Sequence, residues 1–182
     1  MMGRMGDRPV GELIEELASR LGVPAFTALC VDLLEGASRE DHLDALPWLT
    51  GHDWAEGSDV RDPEVWHDYW LRTWGARGLL HVWDDAATGA VVAGLSDGHW
   101  RPAEMCLKVT ARHEVAGAGD GAAALADHEL PRVRAAAMRA LAVAGDTEHV
   151  DVVRDRLDDP DEAVRRAAAR ALELLARRLD IP

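Results

Sequence analysis

The sequence predicts an all-α protein: a short α-solenoid of about four helix pairs, closed at its N-terminus by a helical cap. Two observations carry this. First, a unit of about 31 residues recurs. Val133-Arg134-Ala135-Ala136-Ala137-Met138-Arg139-Ala140-Leu141 and Val164-Arg165-Arg166-Ala167-Ala168-Ala169-Arg170-Ala171-Leu172 lie 31 positions apart and share hydrophobic, Arg, Ala and Leu slots. Leu71-Arg72-Thr73-Trp74-Gly75-Ala76-Arg77-Gly78-Leu79 lies 62 positions before the first of these. A looser copy starts at Trp100-Arg101, with Met105 set opposite Met138. A fixed period of this length argues for stacked helix pairs, because one pair cannot bury its apolar face alone. Second, apolar residues recur at helical spacing along most of the chain, and no segment reads as a convincing strand.

The elements follow in order. Residues 1–9 read as a disordered start. Leu13, Ile14, Leu17, Ala18 and Leu21 give an amphipathic helix over Gly11–Leu21, ended by Gly22. Pro24 opens a second helix to Leu34, apolar on most sides and so expected to be buried. Ser38 and Asp41 cap a third through Leu43 and Leu46, limited by Pro47. Residues 50–62, rich in Gly, Asp and Ser, are the longest candidate loop. Asp62-Pro63-Glu64 supplies a cap, a first-turn proline and a first-turn acid. A helix is therefore expected over 63–83, with a bend near Leu71.

Further helices are expected over 86–95 and 100–114. Gly117, Gly119 and Gly121 break the chain. A short segment over 122–126 follows, then helices near 131–144, 148–157 and 161–179. Val91 and Leu95 match Val153 and Leu157 at an offset of 62, so the second helix of each pair also repeats. Residues 1–62 are assigned to the cap and acidic loop, and residues 63–182 to the repeat array.

Composition narrows the function classes. The net charge is −13. Residues 1–63 hold 13 acids and 5 bases, so the excess acid lies mainly at the N-terminal end. An acidic chain repels phosphate backbones, which argues against nucleic-acid binding in the absence of a concentrated basic strip. Cys30 and Cys106 form no C-x-x-C and are expected to be reduced, buried thiols. No apolar run approaches the ~20 residues of a membrane span, and Met1–Val10 lacks the apolar centre of a signal peptide. A cytoplasmic protein is expected, with no cofactor and no resident metal.

The Asp-rich turn, the Val-Arg pair and the Ala-rich helix ending in Leu resemble the HEAT-like repeats first described in phycobilisome lyases, best over residues 64–180. The resemblance implies a ladder in which a turn aspartate and the arginine of the Val-Arg pair join neighbouring repeats. Asp159 with Arg165 fits that role, Asp127 or His128 with Arg134 fits it less closely, and Asp97 stands four residues before Arg101. Such repeats serve as protein-binding scaffolds, as chromophore lyase subunits and, in a related family, as alkylpurine DNA glycosylases. Residues 1–60 do not match the pattern.

Two features mark a candidate site. All seven tryptophans precede residue 101, and Trp66, Trp70 and Trp74 are spaced i, i+4, i+8 as one helical stripe. The stripe either glues the cap to the first repeat or forms an aromatic wall on a concave face, suited to flat or cationic ligands. The helix from Trp100 carries Arg101, Glu104, Lys108 and Arg112 as a charged line. With Trp100-Arg101 set on Val133-Arg134, Glu104 and Lys108 occupy the slots of Ala137 and Leu141. A one-residue shift puts Leu107 opposite Leu141 and makes the line an ordinary solvated face, with an i,i+4 pair worth ~0.3–0.5 kcal/mol.

The expected function is a binding module that uses a tryptophan-rich, charged groove (Trp66, His67, Trp70, Trp74, Trp100, Arg101, Glu104, Lys108, Arg112) to hold a protein segment or small organic ligand. The alternative is an enzyme acting on a small or nucleobase-like substrate. Glu104 or Asp68 would be its general acid or base between tryptophan walls, with Lys108 as anion contact and His67 nearby. A third reading is a structural partner subunit. Oligomeric state is not readable from the sequence. Gly94-Leu95-Ser96-Asp97-Gly98 matches G-x-S-x-G but falls in a helix–helix turn. Gly117–Gly121 resembles a phosphate loop without its strand or Lys-Ser/Thr. The eight histidines lack metal-ligand spacing, and a site assembled from His52, Asp53 and Asp59 is the one spatial candidate.

Overall fold

The structure, a computed structural model, describes residues 8–52, 54 and 59–181. Every regular element among them is helical, so the all-α class stands. The chain divides into two compact units, Met1–Ala90 and Val91–Pro182.

In the first unit, α1 (Val10–Leu21) buries Leu13, Ile14, Leu17 and Ala18, the stripe its spacing predicts. Leu21, apolar by pattern, is instead exposed. Gly22 at φ +82° turns the chain into α2 (Val23–Leu34), which carries its proline in the first turn. α2 buries one side only, through Phe26, Thr27, Cys30, Leu33 and Leu34, while Ala25 and Ala28 face solvent. The expected burial on most sides is corrected. One helix can present only one face to its neighbour, and here that neighbour is α4 (Asp68–His81). Gly75 and Gly78 permit the close approach. A Cβ on Gly75 would lie 2.5 Å from the Cys30 carbonyl oxygen, and one on Gly78 would lie 2.4 Å from the Cys30 Sγ.

Two expected helix starts move. Ser38 caps only a 3-10 turn, Arg39–Asp41, and α3 (Leu46–Thr50) takes Pro47 into its own first turn, so that proline opens a helix rather than limiting one. Asp62-Pro63-Glu64 does not open a helix. Asp62 Oδ1 accepts the Glu64 N–H at 2.9 Å and makes a local turn, and α4 begins at Asp68. The buried Arg39 explains the delay. It donates to the Val60 carbonyl at 2.9 Å, to the Trp66 carbonyl at 2.7 Å and to Asp68 Oδ1 at 2.5 Å. The Trp66 carbonyl is thus tied to a distant guanidinium just ahead of α4. Of the expected disordered start and long loop, residues 1–7, 53 and 55–58 lie outside the described residues. A 3-10 turn (Asp85–Ala87) leads into α5 (Thr88–Gly94), where the two units meet in sequence.

The second unit is a repeating stack. Its long helices are α6 (Trp100–His113), α8 (Pro131–Ala144) and α10 (Glu162–Leu179). Each packs on the next in order. Their first residues are spaced by the predicted 31. The short second helices are α7 (Gly119–Ala124) and α9 (Val150–Asp155), each running on into a 3-10 turn. Gly117, at φ +75°, does break the chain, but Gly119 and Gly121 sit inside α7. Leu95 leaves no room for a side chain at Gly121, and His149 with the Ala144 carbonyl leaves none at Gly119.

The interval recurs side chain by side chain. Asp97, His128 and Asp159 each accept the backbone N–H two residues on, at 2.8, 3.0 and 2.9 Å. Pro102, Val133 and Val164 are buried in one slot; Cys106, Ala137 and Ala168 in another; Val109, Ala140 and Ala171 in a third. This fixes the register of the Trp100 copy. Arg101 aligns with Arg132, and Leu107 with Met138, so the pairing of Arg101 with Arg134 is two residues out.

Candidate functional site

In the corrected register the charged line of α6 belongs to one face of the stack. The slot of Glu104 holds Ala135 in α8 and Arg166 in α10. The slot of Lys108 holds Arg139 and then Arg170. Of these, Glu104, Ala135, Arg139, Arg166 and Arg170 line two adjoining cavities that share Arg139 and Ala163. One, of about 530 Å³, is floored by Ala111, Ala142, Ala163, Ala167 and Ala171 and edged by Arg139, Arg166 and Arg170. The other, of about 550 Å³, runs past Glu104, Arg132 and Asp161. Together they form an open groove along the α6–α8–α10 face.

Glu104 is a buried carboxylate on this face, with its side chain 7% exposed. Oε1 receives the Lys108 ammonium at 3.1 Å and the Arg132 Nε at 3.1 Å, and Oε2 receives Arg132 Nη2 at 2.9 Å. Both oxygens are taken up by cations. Trp100 has two guanidiniums over its ring, Arg101 at 4.4 Å and Arg132 at 4.9 Å from the ring centre. Trp100, Arg101, Glu104 and Lys108 thus form one constellation, joined by Arg132. Arg112 stands exposed at the end of α6.

The other predicted residues lie in the first unit. Trp70 and Trp74 stack at 6.2 Å with 24° between their planes, and Trp66 sits 6.3 Å from the first and 5.7 Å from the second. Two further rings join them. Trp54 lies 5.1 Å from Trp66, and His52 5.1 Å from Trp54. The rings pack against one another, and Trp74 is buried. His67 precedes α4, exposed, against Tyr69 at 5.5 Å. Asp68, 72% exposed, is bound to Arg39.

The metal candidate of His52, Asp53 and Asp59 has Asp53 outside the described residues, and Asp59 Oδ1 accepts the Trp66 indole N–H at 2.9 Å. A second group, Asp120, Glu148 and His149, brings three donor atoms within 4.8 Å of one another. His149 Nδ1 accepts the Asp146 N–H at 2.9 Å, which leaves the ring proton on Nε2, facing Asp120 at 3.0 Å. A neutral histidine ligating through Nε2 carries its proton on Nδ1, so this geometry describes a cap rather than a ligand set.

Sequence reasoning missed Arg132, Arg139, Arg166 and Arg170. The signal was present, because Lys108, Arg139 and Arg170 follow one another at the repeat interval.

Residues 121–180 match the family model described as HEAT repeats. This stretch, about a third of the chain, is similar to HEAT repeats. The match covers α8, α9 and α10 and bears out the HEAT-like resemblance for the Val133 and Val164 copies. A search of curated proteins finds no match to the chain. HEAT repeats are helical scaffolds for protein interaction, and that description fits the stack to which α8 and α10 belong. Among the described residues no single helix is long and apolar enough to cross a membrane.

Proposed function

We propose that the protein is a non-catalytic interaction module that holds a segment of a partner protein in the α6–α8–α10 groove. The observation that carries this is the groove itself: side chains in recurring slots line one open channel past Glu104, Arg139 and Arg170. The enzyme reading needs a carboxylate free to exchange a proton with substrate. Glu104 has both oxygens held by Lys108 and Arg132, and Asp68 is bound to Arg39. The tryptophans at 66, 70 and 74 stack on one another and on Trp54, which supports a packing role for them. Trp100, Arg101, Glu104, Lys108 and Arg112 are then the part of the predicted site that belongs to the binding face. The buried free thiols Cys30 and Cys106 accord with the cytoplasmic setting expected from the sequence.

A photo-cross-linking residue tests the reading. Benzoylphenylalanine at Ala167, on the groove floor, is compared with the same group at the exposed Ala169 beyond the groove lining. Irradiation of the full chain in cells is expected to give a discrete protein adduct from position 167 alone. No adduct there, or the same adducts from both positions, rejects the proposal.

A further inference from the structure

From the charges along this groove we infer that its occupant is an acidic, amphipathic helical segment. The inference rests on the interaction-module reading and names the partner chemistry.

The floor sets the shape. Ala111, Ala142, Ala163, Ala167 and Ala171 end at Cβ, and Val143 and Leu174 close the channel at one end. Small side chains let a helix axis approach to the ~8–10 Å of packed helices. From Ala163 to Leu174 the groove follows α10 for eleven residues, roughly 16 Å at 1.5 Å per residue, or about three helical turns. An occupant of that length would lay its apolar stripe on the alanines.

The rim sets the charge. Arg139, Arg166 and Arg170 edge the alanine-floored cavity, and no carboxylate lines it. Arg139 has no hydrogen-bond or ion-pair partner among the described residues. Arg166 and Arg170 meet only the exposed Glu162 at 3.8 Å and Glu173 at 3.3 Å. Such surface pairs contribute little, so an incoming carboxylate readily replaces them. Arg132 extends the cationic edge into the adjoining cavity, where the carboxylates of Glu104 and Asp161 offset part of the charge. The whole chain carries −13, so a strongly acidic segment is repelled by most of the surface and attracted here. Such a contrast confers specificity and steers approach.

The probe is a fluorescein-labelled amphipathic peptide of about four turns, with leucine and alanine on one face and glutamate on the other. Its counterpart carries lysine at every glutamate position. Fluorescence anisotropy with the full chain is expected to show the glutamate peptide binding and weakening as salt rises. Arg139→Glu/Arg166→Glu should reduce its affinity at least tenfold, and Arg139→Gln/Arg170→Gln should reduce it less. Both pairs are exposed, and an unchanged melting temperature shows that the fold is kept. The inference is overturned by equal binding of the lysine peptide, by binding of neither peptide, or by affinity indifferent to the arginine changes. It is also overturned if a single-stranded oligonucleotide binds more tightly and displaces the glutamate peptide. A neutral or basic segment trapped at Ala167 would overturn the inference and leave the module reading standing. Absence of any adduct at Ala167 removes the module reading first.

Discussion

Arg134 clasps Asp159 through two parallel bonds, Nε to Oδ2 and Nη2 to Oδ1, each 2.8 Å long. Its remaining nitrogen, Nη1, holds the carbonyls of His128 and Glu129 in its own turn. Arg165 does the same to the Asp159 and Pro160 carbonyls one repeat later. The ladder implied by the family resemblance therefore runs from Asp159 back to Arg134, while Arg165 grips the backbone of the Asp159 turn rather than its carboxylate.

Asp159→Ala should destabilise the protein by about 3 kcal/mol, since it strips a 1%-exposed carboxylate from a paired guanidinium. The bond from Arg134 holds the Asp159 carboxyl below its ordinary range. The folded pKa is therefore lower than the unfolded one of ~3.9. The stabilisation is complete above that value and is lost as pH falls below it through the folded pKa. Chemical denaturation across about pH 5 to 2.5 should show a steeper acid loss for wild type than for Asp159→Asn. Parallel curves would remove Asp159 from the acid response.

Glycine to alanine should have opposite signs at two helical sites. Gly75→Ala forces a Cβ onto backbone of α2, and overpacking costs about 1–3 kcal/mol, more than the ~1 kcal/mol gained in helix propensity. Gly89 in α5 has nothing within 4 Å of an added Cβ, so Gly89→Ala should gain about 0.5 kcal/mol. Thermal melts of both variants check the pair.

Burial raises the thiol pKa of both Cys30 and Cys106, so each is a poor thiolate. Neither should react with Ellman's reagent in the native protein, and both should react in guanidinium chloride. Rapid native labelling of either would show that its helix contact opens.

Glu104→Ala should cost about 1–2 kcal/mol, because the charge-assisted bonds to Lys108 and Arg132 are lost. The cations it frees are solvated at the groove edge, so the same variant should bind the glutamate peptide severalfold more tightly. Weaker binding would show that Glu104 receives the partner itself.

The most legible parts of the sequence were those in which local signals and neighbours agree. α8 and α10 were bounded to within a residue, because Val-Arg copies, first-turn Pro131 and the Asp161 cap all point the same way. The start of α4 was misplaced because Arg39, 21 to 29 residues away along the chain, ties down the Val60 and Trp66 carbonyls ahead of it and the carboxylate of its first residue, Asp68. No local pattern carries that information. The register of the Trp100 copy was misjudged for a simpler reason. Arg101 invites alignment with the clasping Arg134, yet the clasp slot in α6 holds Ala103 and Arg101 lies in the slot of Arg132. That displacement hid the arginines that follow Lys108 at the repeat interval. The i, i+4, i+8 tryptophans were plain on a helix, but the arrival of Trp54 and His52 from the loop was not.

The constant 31-residue interval between the starts of α6, α8 and α10 has an evolutionary consequence. Tandem copying of the coding stretch between two equivalent turns would deliver a complete hairpin whose cap, buried slots and guanidinium clasp already mate with both sides. Lengthening such a protein demands no renegotiation of an existing interior, so binding reach can be selected by gene duplication alone.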